Sequence, residues 1–147
     1  MQKLNLPEIN CNIRKNEGKI EIFDIIRKKY IRLLPEEWVR QHVIHYLIND
    51  LNYPKSLIKV ESGLHYNNLE KRTDILIFNT KGKCEMLVEC KSFKIKINQA
   101  AFDQLSVYNT NYESKYLLIT NGINHFCCAK NEVGGYSFLD NIPAYIK

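Results

Sequence analysis

The stretch DILIFNTKGKCEMLVECK, residues 74–91, decides the fold of this chain. Two apolar runs flank the turn at residues 80–82, which is the pattern of a β-hairpin. A turn at that point places positions whose numbers sum to about 162–164 opposite each other, so Asp74 comes close to Glu89 and Lys91. The sequence therefore predicts two carboxylates and one ammonium where the two strands open out.

Alternation along the second strand separates its polar and apolar side chains. Glu89 and Lys91 share one face, whereas Cys90 points to the other and is expected in the core. Carboxylates and a backbone carbonyl, here that of Cys90, are ligands that hard divalent cations such as Mg²⁺ prefer. The alternative is an ordinary charge-balanced strand end, with an exposed Glu–Lys pair and Asp74 as a turn residue.

The rest of the chain supplies the partners of this hairpin. Apolar spacing predicts amphipathic helices over 35–51 and 98–110. Alternating or continuous apolar runs predict further strands at 19–24, 57–64, 115–122, 125–130 and 135–139, besides the hairpin strands at 72–79 and 83–92, and a short apolar run lies at 30–34. The predicted fold class is α/β, with a mixed central sheet flanked by helices. Residues 1–18 are expected to form a loose N-terminal arm, and residues 19–147 a single domain.

Composition narrows the classes of function. The 147 residues carry a net charge of +5, a mild preference for anionic partners such as nucleic acid. The five cysteines form no CxxC pair, no secretory leader is visible, and no apolar run reaches the roughly 20 residues of a membrane helix. We therefore expect a cytoplasmic protein with reduced thiols and no membrane association. A GxxxxGK[ST] motor motif is absent from the sequence.

Several short motifs together resemble a known superfamily. An Asp at 74, 14 residues, and then ECK at 89–91 resemble the PD-(D/E)XK nucleases, although Thr73 stands where that family has its Pro. Gln104 and Tyr108 form QxxxY, as in the RecB-type branch. Glu37, with Glu36 as the fallback, lies on the first helix where the superfamily carries an extra acid.

A longer series of segments sharpens the resemblance. PEEWVRQHVIHYLI, YPKSLIKVE, KRTDILIF, LVECK, INQAAFDQ and YLLITNG follow one another. Over roughly residues 20–145 the chain resembles the N-terminal nuclease domain of type I restriction enzyme R subunits, in a short stand-alone form. The resemblance implies a restriction-endonuclease-like core and a magnesium-dependent DNA endonuclease of restriction or defence type, with Mn²⁺ able to substitute.

The resemblance also assigns roles to individual residues. The implied metal ligands are Asp74, Glu89, the Cys90 carbonyl and Glu37, the last often through water. Lys91 would serve the attacking water and the developing negative charge, and Gln104 would position a water, a nucleotide or Lys91. Apart from the resemblance, Lys71 and Arg72 are candidate phosphate contacts or simply cap a solvated strand end, and Arg40 and Tyr108 are further candidate nucleic-acid contacts.

Other interpretations of these residues remain open. Arg40 lies one turn beyond Glu37 and can hold its carboxylate by an i,i+3 pair. His42 and His45 have a zinc-compatible spacing, but packing histidines explain them more simply. A non-catalytic nucleic-acid-binding or partner-docking module is the alternative to a nuclease, and RNA is an alternative to DNA. Helicase or restriction-system subunits on other chains are the expected protein partners.

Overall fold

The computed structural model describes residues 1–61 and 74–147. The elements in chain order are β1 (Ile13–Asn16), β2 (Lys19–Asp24), β3 (Lys29–Arg32), α1 (Pro35–Asn49), a 3₁₀ turn (Lys55–Leu57), β4 (Ile58–Val60), β5 (Ile75–Phe78), β6 (Cys84–Cys90), α2 (Gln99–Tyr112), β7 (Tyr116–Thr120), β8 (His125–Lys130) and β9 (Tyr136–Leu139). The predicted strands over 57–64 and 72–79 extend into residues outside the described ranges. Neither α1 nor α2 has the length and apolar character needed to cross a lipid bilayer.

Six strands form the main sheet, in the order β4-β5-β6-β7-β8-β9. β6 and β7 are parallel, because α2 carries the chain back across the sheet between them, and the other neighbours are antiparallel. This is the mixed sheet of an α/β fold, so the predicted fold class is confirmed.

The hairpin register agrees with the prediction from its turn. Ile75 pairs with Val88 and Leu76 with Leu87, so the partner numbers sum to 163. A bulge between Ile77 and Phe78 shifts the register by one residue next to the turn. The same register extended by one position sets Asp74 opposite Glu89.

The two helices cover opposite faces of the sheet. α1 packs its apolar side on one core cluster, which includes Val43, Leu47 and Cys90. α2 packs Leu105 on the other cluster, which includes Leu87. The alternation of β6 side chains between these clusters confirms that the Cys90 thiol lies in the core.

The N-terminal segment is more ordered than its polar sequence suggests. β1 pairs with β2, and β2 with β3, in a separate three-stranded sheet. Leu4 is only 5% exposed and packs with the main core. Asn5 N donates to the Gly122 carbonyl at 2.8 Å, and Trp38 Nε1 donates to the Gln2 carbonyl at 2.7 Å. The segment over 1–18, expected to be a loose arm, therefore contains a strand and a core contact. Gly122 has no side chain, and Leu4 fills the space that a side chain there would occupy.

Leu4→Ala tests this docking. Removing a buried leucine leaves a cavity, so the free energy of unfolding should fall by roughly 2–5 kcal/mol. Val133→Ala, at a position 91% exposed, is the control and should change it by less than about 0.5 kcal/mol. Urea unfolding monitored by circular dichroism measures both, and an unchanged midpoint for Leu4→Ala would show that the segment does not support the core.

Candidate active site

Asp74 connects the two strands of the hairpin at their open end. Its Oδ2 accepts a hydrogen bond from the Cys90 backbone N at 2.6 Å, and its Oδ1 accepts from Arg40 Nη2 at 2.6 Å. Burial raises the pKa of Asp74 to about 6; the attraction of the Arg40 guanidinium opposes this shift, and the negative charge of Glu89 adds to it. Asp74 and Glu89 thus lie close enough for each charge to act on the other.

Glu89 and Lys91 share the face of β6 that the alternation predicts. Lys91 Nζ lies 3.0 Å from Glu89 Oε2, and both side chains are largely buried. Lys91 N also donates to the Thr120 carbonyl at 2.8 Å, so pairing with β7 fixes the backbone beyond the strand end. The geometry brings together the three groups that the hairpin sequence predicted, Asp74, Glu89 and Lys91.

Arg40 is the buried cation beside these acids. Besides Asp74, its guanidinium contacts Glu37 Oε1 at 2.6 Å and Glu36 Oε2 at 3.0 Å. The i,i+3 pair with Glu37 that the helix spacing predicts is present. Arg40 is only 8% exposed, and the adjacent acids raise its pKa against the cost of burial. A direct phosphate contact, as the sequence proposed for Arg40, would require it to leave these partners.

The same network continues away from the hairpin to the small sheet. Glu37 Oε2 accepts from Arg27 Nη2 and from Gln41 Nε2, each at 2.9 Å. Asp24, fully buried at the end of β2, accepts from the side chains of Arg27 at 2.7 Å and Gln41 at 2.9 Å. A continuous chain of charges thus joins the small sheet, α1 and the hairpin.

Sequence reasoning missed Asp24, Arg27 and Gln41. Asp24 ends an alternating strand on its apolar side, next to Ile22, which is a position where a carboxylate is unusual. Its Oδ1 accepts from the backbone N of Ile26 and of Arg27, the geometry of a turn that an aspartate often nucleates. That inward-facing acid was the available signal.

Gln104 and Tyr108 lie on one flank of α2. Leu105 and Asn109 are the buried residues of α2 and face the sheet. Phe102 lies on the side of α2 nearer β9, where its ring contacts that of Tyr136. At 3.6 residues per turn, Gln104 lies about 160° around the helix from Phe102. The flank that bears Gln104 and Tyr108 therefore faces the β6 side, with Gln104 exposed and Tyr108 partly buried.

The remaining predicted positions divide into two groups. Lys71 and Arg72 lie outside the described residues. His42 Nδ1 lies 2.9 Å from the Trp38 carbonyl and its ring packs edge-on against Trp38, while burial lowers the pKa of both His42 and His45. These contacts favour the packing interpretation over a zinc site.

The donor groups at the hairpin suit a hard divalent cation. Asp74 and Glu89 supply carboxylate oxygens, and the raised pKa of Asp74 reflects buried negative charge that a divalent cation would offset. Glu37 is separated from Asp74 by the Arg40 guanidinium. Within residues 1–61 and 74–147, no group of three Cys, His, Asp or Glu side chains is placed to hold a metal ion. A two-acid site with water in the other positions is the arrangement that the residues fit.

The raised pKa of Asp74 predicts a pH dependence of stability in EDTA. Because the folded state holds this proton more tightly than the unfolded chain, the Asp74 contribution to the free energy of unfolding should fall as pH rises from about 4 to 6. The difference between wild type and Asp74→Asn, from urea unfolding across this range, isolates the effect. The lowered pKa values of His42 and His45 act in the opposite direction, but both proteins contain them.

Asp140→Asn, at an exposed position, is the control, and its difference from wild type should vary little with pH. A wild-type minus Asp74→Asn difference that rises with pH over the same range would instead show that the Arg40 ion pair dominates the titration of Asp74.

Comparison with known protein families identifies one family that covers most of the chain. No curated protein matches the chain. A family model described as the type I restriction enzyme R protein N terminus matches residues 35–143, about three quarters of the chain. The matched region contains α1 and every strand of the main sheet, and with them Glu37, Asp74, Glu89, Lys91 and Gln104. The chain belongs to the family of type I restriction enzyme R protein N-terminal regions.

Proposed function

We propose that this chain is a magnesium-dependent endonuclease that hydrolyses phosphodiester bonds of DNA in a restriction or defence system. One observation carries the proposal: Asp74, Glu89 and Lys91 converge at the open end of β5 and β6 in a member of this restriction-enzyme family. Mn²⁺ is expected to substitute for Mg²⁺. Other restriction-system subunits, including a motor, are the proposed protein partners.

Asp74 and Glu89 would hold the cation, together with the Cys90 carbonyl and water. When bound, such an ion acidifies a water molecule and offsets the charge that develops on the scissile phosphate. Glu37 would assist through water, and this requires Arg40 to release part of its contact with Glu37 or Asp74. The Arg40 guanidinium thus lies between Glu37 and Asp74, two carboxylates that the proposed metal would also use.

Lys91 would act on the phosphate and on the attacking water. It cannot ligate a metal while protonated, but its ammonium lies 3.0 Å from Glu89 Oε2, beside the proposed ligands. From this position it can orient the water and stabilise the negative charge that accumulates in the transition state. Gln104, on the β6 side of α2, is the proposed group that positions Lys91 or a nucleotide.

The non-catalytic module remains the second candidate because of the arginine network. Arg27 and Arg40 already neutralise Glu37 and Asp74, an arrangement that stabilises the fold without any metal. A protein that only binds nucleic acid or a partner could retain these residues for that reason.

The metal proposal predicts loss of cation binding on Asp74→Asn or Glu89→Gln. Each variant removes one carboxylate charge at similar volume, so calorimetric titration with MgCl₂ or MnCl₂ should show affinity reduced at least about tenfold. Glu85→Gln changes an acid at the opposite end of β6 and should bind as wild type does. Wild-type affinity in either site variant would rule out a two-acid site.

Lys91→Ala separates the nuclease from the binding module. Because Lys91 acts mainly in the transition state, the variant should bind Mg²⁺ as tightly as wild type or more tightly. Its cleavage of plasmid DNA should fall by roughly 10²–10³. Lys83→Ala, at the exposed position just before β6, is the matched control. If wild type cuts no DNA with Mg²⁺ or Mn²⁺, alone or with restriction-system subunits, the non-catalytic module becomes the better description.

A further inference from the structure

A pocket of about 190 Å³ lies on the α2 face of the main sheet, between the beginning of α2 and the β8–β9 edge. Its walls are apolar and mostly aromatic: Ile97, Phe102, Ile119, Phe126 and Phe138. We call it the phenylalanine pocket. Phe126 is 44% exposed and Phe138 65% exposed, although both are large apolar side chains. Such exposed aromatic groups around a concave site are typical of a binding surface.

The strand register places this pocket beside the candidate active site. Glu89 pairs with Ile119, and Ile119 pairs with Phe126, so these three residues form one row across β6, β7 and β8. Residues directly opposite in a sheet share a face, and neighbouring strands are about 4.8 Å apart. Phe126 is therefore roughly 10 Å from Glu89 at the backbone, a span of about three stacked nucleotides at 3.4 Å each.

The segment that links the site to the pocket is basic. It runs as KSFKIKIN from Lys91 to Asn98, with no acidic residue, and Lys94 and Lys96 are exposed. Asn121 Nδ2 donates to the Ile95 carbonyl at 2.8 Å, which holds the segment against the end of β7. Exposed lysines between the two sites match the phosphates of a strand that reaches from one to the other.

The shape and chemistry of the pocket select its occupant. Its volume is below the roughly 300–1,000 Å³ that drug-sized ligands fill, and it suits one flat ring system. Phe102 and Phe138 have ring centroids 5.8 Å apart with planes tilted by 40°, and Asn98 and Gln99 add amide groups to the lining. Aromatic faces beside a phosphate path stack bases with little sequence preference, and amides can hydrogen-bond their edges.

We propose that the phenylalanine pocket receives an unpaired nucleobase of the same strand whose phosphate lies at Asp74, Glu89 and Lys91. The inference rests on the proposed function and adds a substrate class, because a base can enter the pocket only from a single-stranded or locally opened segment. Phe126 and Phe138 would bind the base without taking part in hydrolysis.

Binding without cleavage tests the pocket independently of catalysis. In EDTA, fluorescence anisotropy would measure the affinity for a labelled 12-nucleotide oligothymidylate, for the same strand with central abasic sites, and for a blunt duplex of that length. The base-bearing single strand should bind wild type more tightly than the other two. Phe126→Ala and Phe138→Ala should each weaken its binding by roughly 5- to 150-fold, with little effect on the abasic strand.

Three further variants serve as controls. Phe138→Trp keeps a stacking surface and should retain the affinity, which separates stacking from a general loss of structure. Val107→Ala removes an apolar side chain that is 68% exposed on the other side of α2, and it should change nothing. Lys96→Ala should weaken binding of the base-bearing and abasic strands equally.

The outcomes distinguish this inference from the proposed function. Equal affinity of wild type for base-bearing and abasic strands, or unchanged binding by both phenylalanine-to-alanine variants, would overturn the nucleobase pocket even if the protein cleaves DNA. The opposite outcome is a protein that cuts no DNA but binds the base-bearing strand more tightly, with both alanine variants reducing that binding. It would support the nucleobase pocket and contradict the proposed nuclease activity.

Discussion

The buried guanidinium of Arg40 holds the parts of this molecule together. It contacts Glu37 on its own helix and Asp74 just before β5, both at 2.6 Å. Through Glu37 and Arg27 the same network reaches Asp24 on the small sheet. A buried charge without partners is very costly, so these elements must keep their relative positions for Arg40 to keep its ion pairs. Three separate segments of the chain thus share one electrostatic constraint.

This constraint also bears on the candidate active site. Arg40 partly neutralises Glu37 and Asp74, two acids of the proposed metal site. Arg40 therefore lowers the cost of keeping Glu37 and Asp74 close together, and it would compete with the proposed metal for the same oxygens. Lys91 and Glu89 form a second ion pair, and the charge of Glu89 acts on Asp74. The two pairs meet only at the end of the hairpin, where the backbone N of Cys90 binds Asp74.

Strand pairing in the main sheet places the phenylalanine pocket beside the candidate active site. Parallel pairing of β6 with β7 aligns Glu89 with Ile119, and antiparallel pairing with β8 aligns Ile119 with Phe126. Acidic, aliphatic and aromatic side chains thus form one row on the α2 face. The basic segment that follows Lys91 runs beside this row before α2 begins. The candidate active site and the phenylalanine pocket are consequently neighbours.

The sequence by itself determined the hairpin, its register and the meeting of Asp74, Glu89 and Lys91, because alternation and a short turn fix which side chains face each other. It also determined the two helices and the Arg40–Glu37 pair, which depend on local spacing. Only the tertiary structure decided that Leu4 enters the core, that Arg40 reaches Asp74, and that Asp24 joins the network. It also decided that Phe126 lies in the row of Glu89. These contacts join residues far apart in the chain, and no local period encodes which distant segments pack together.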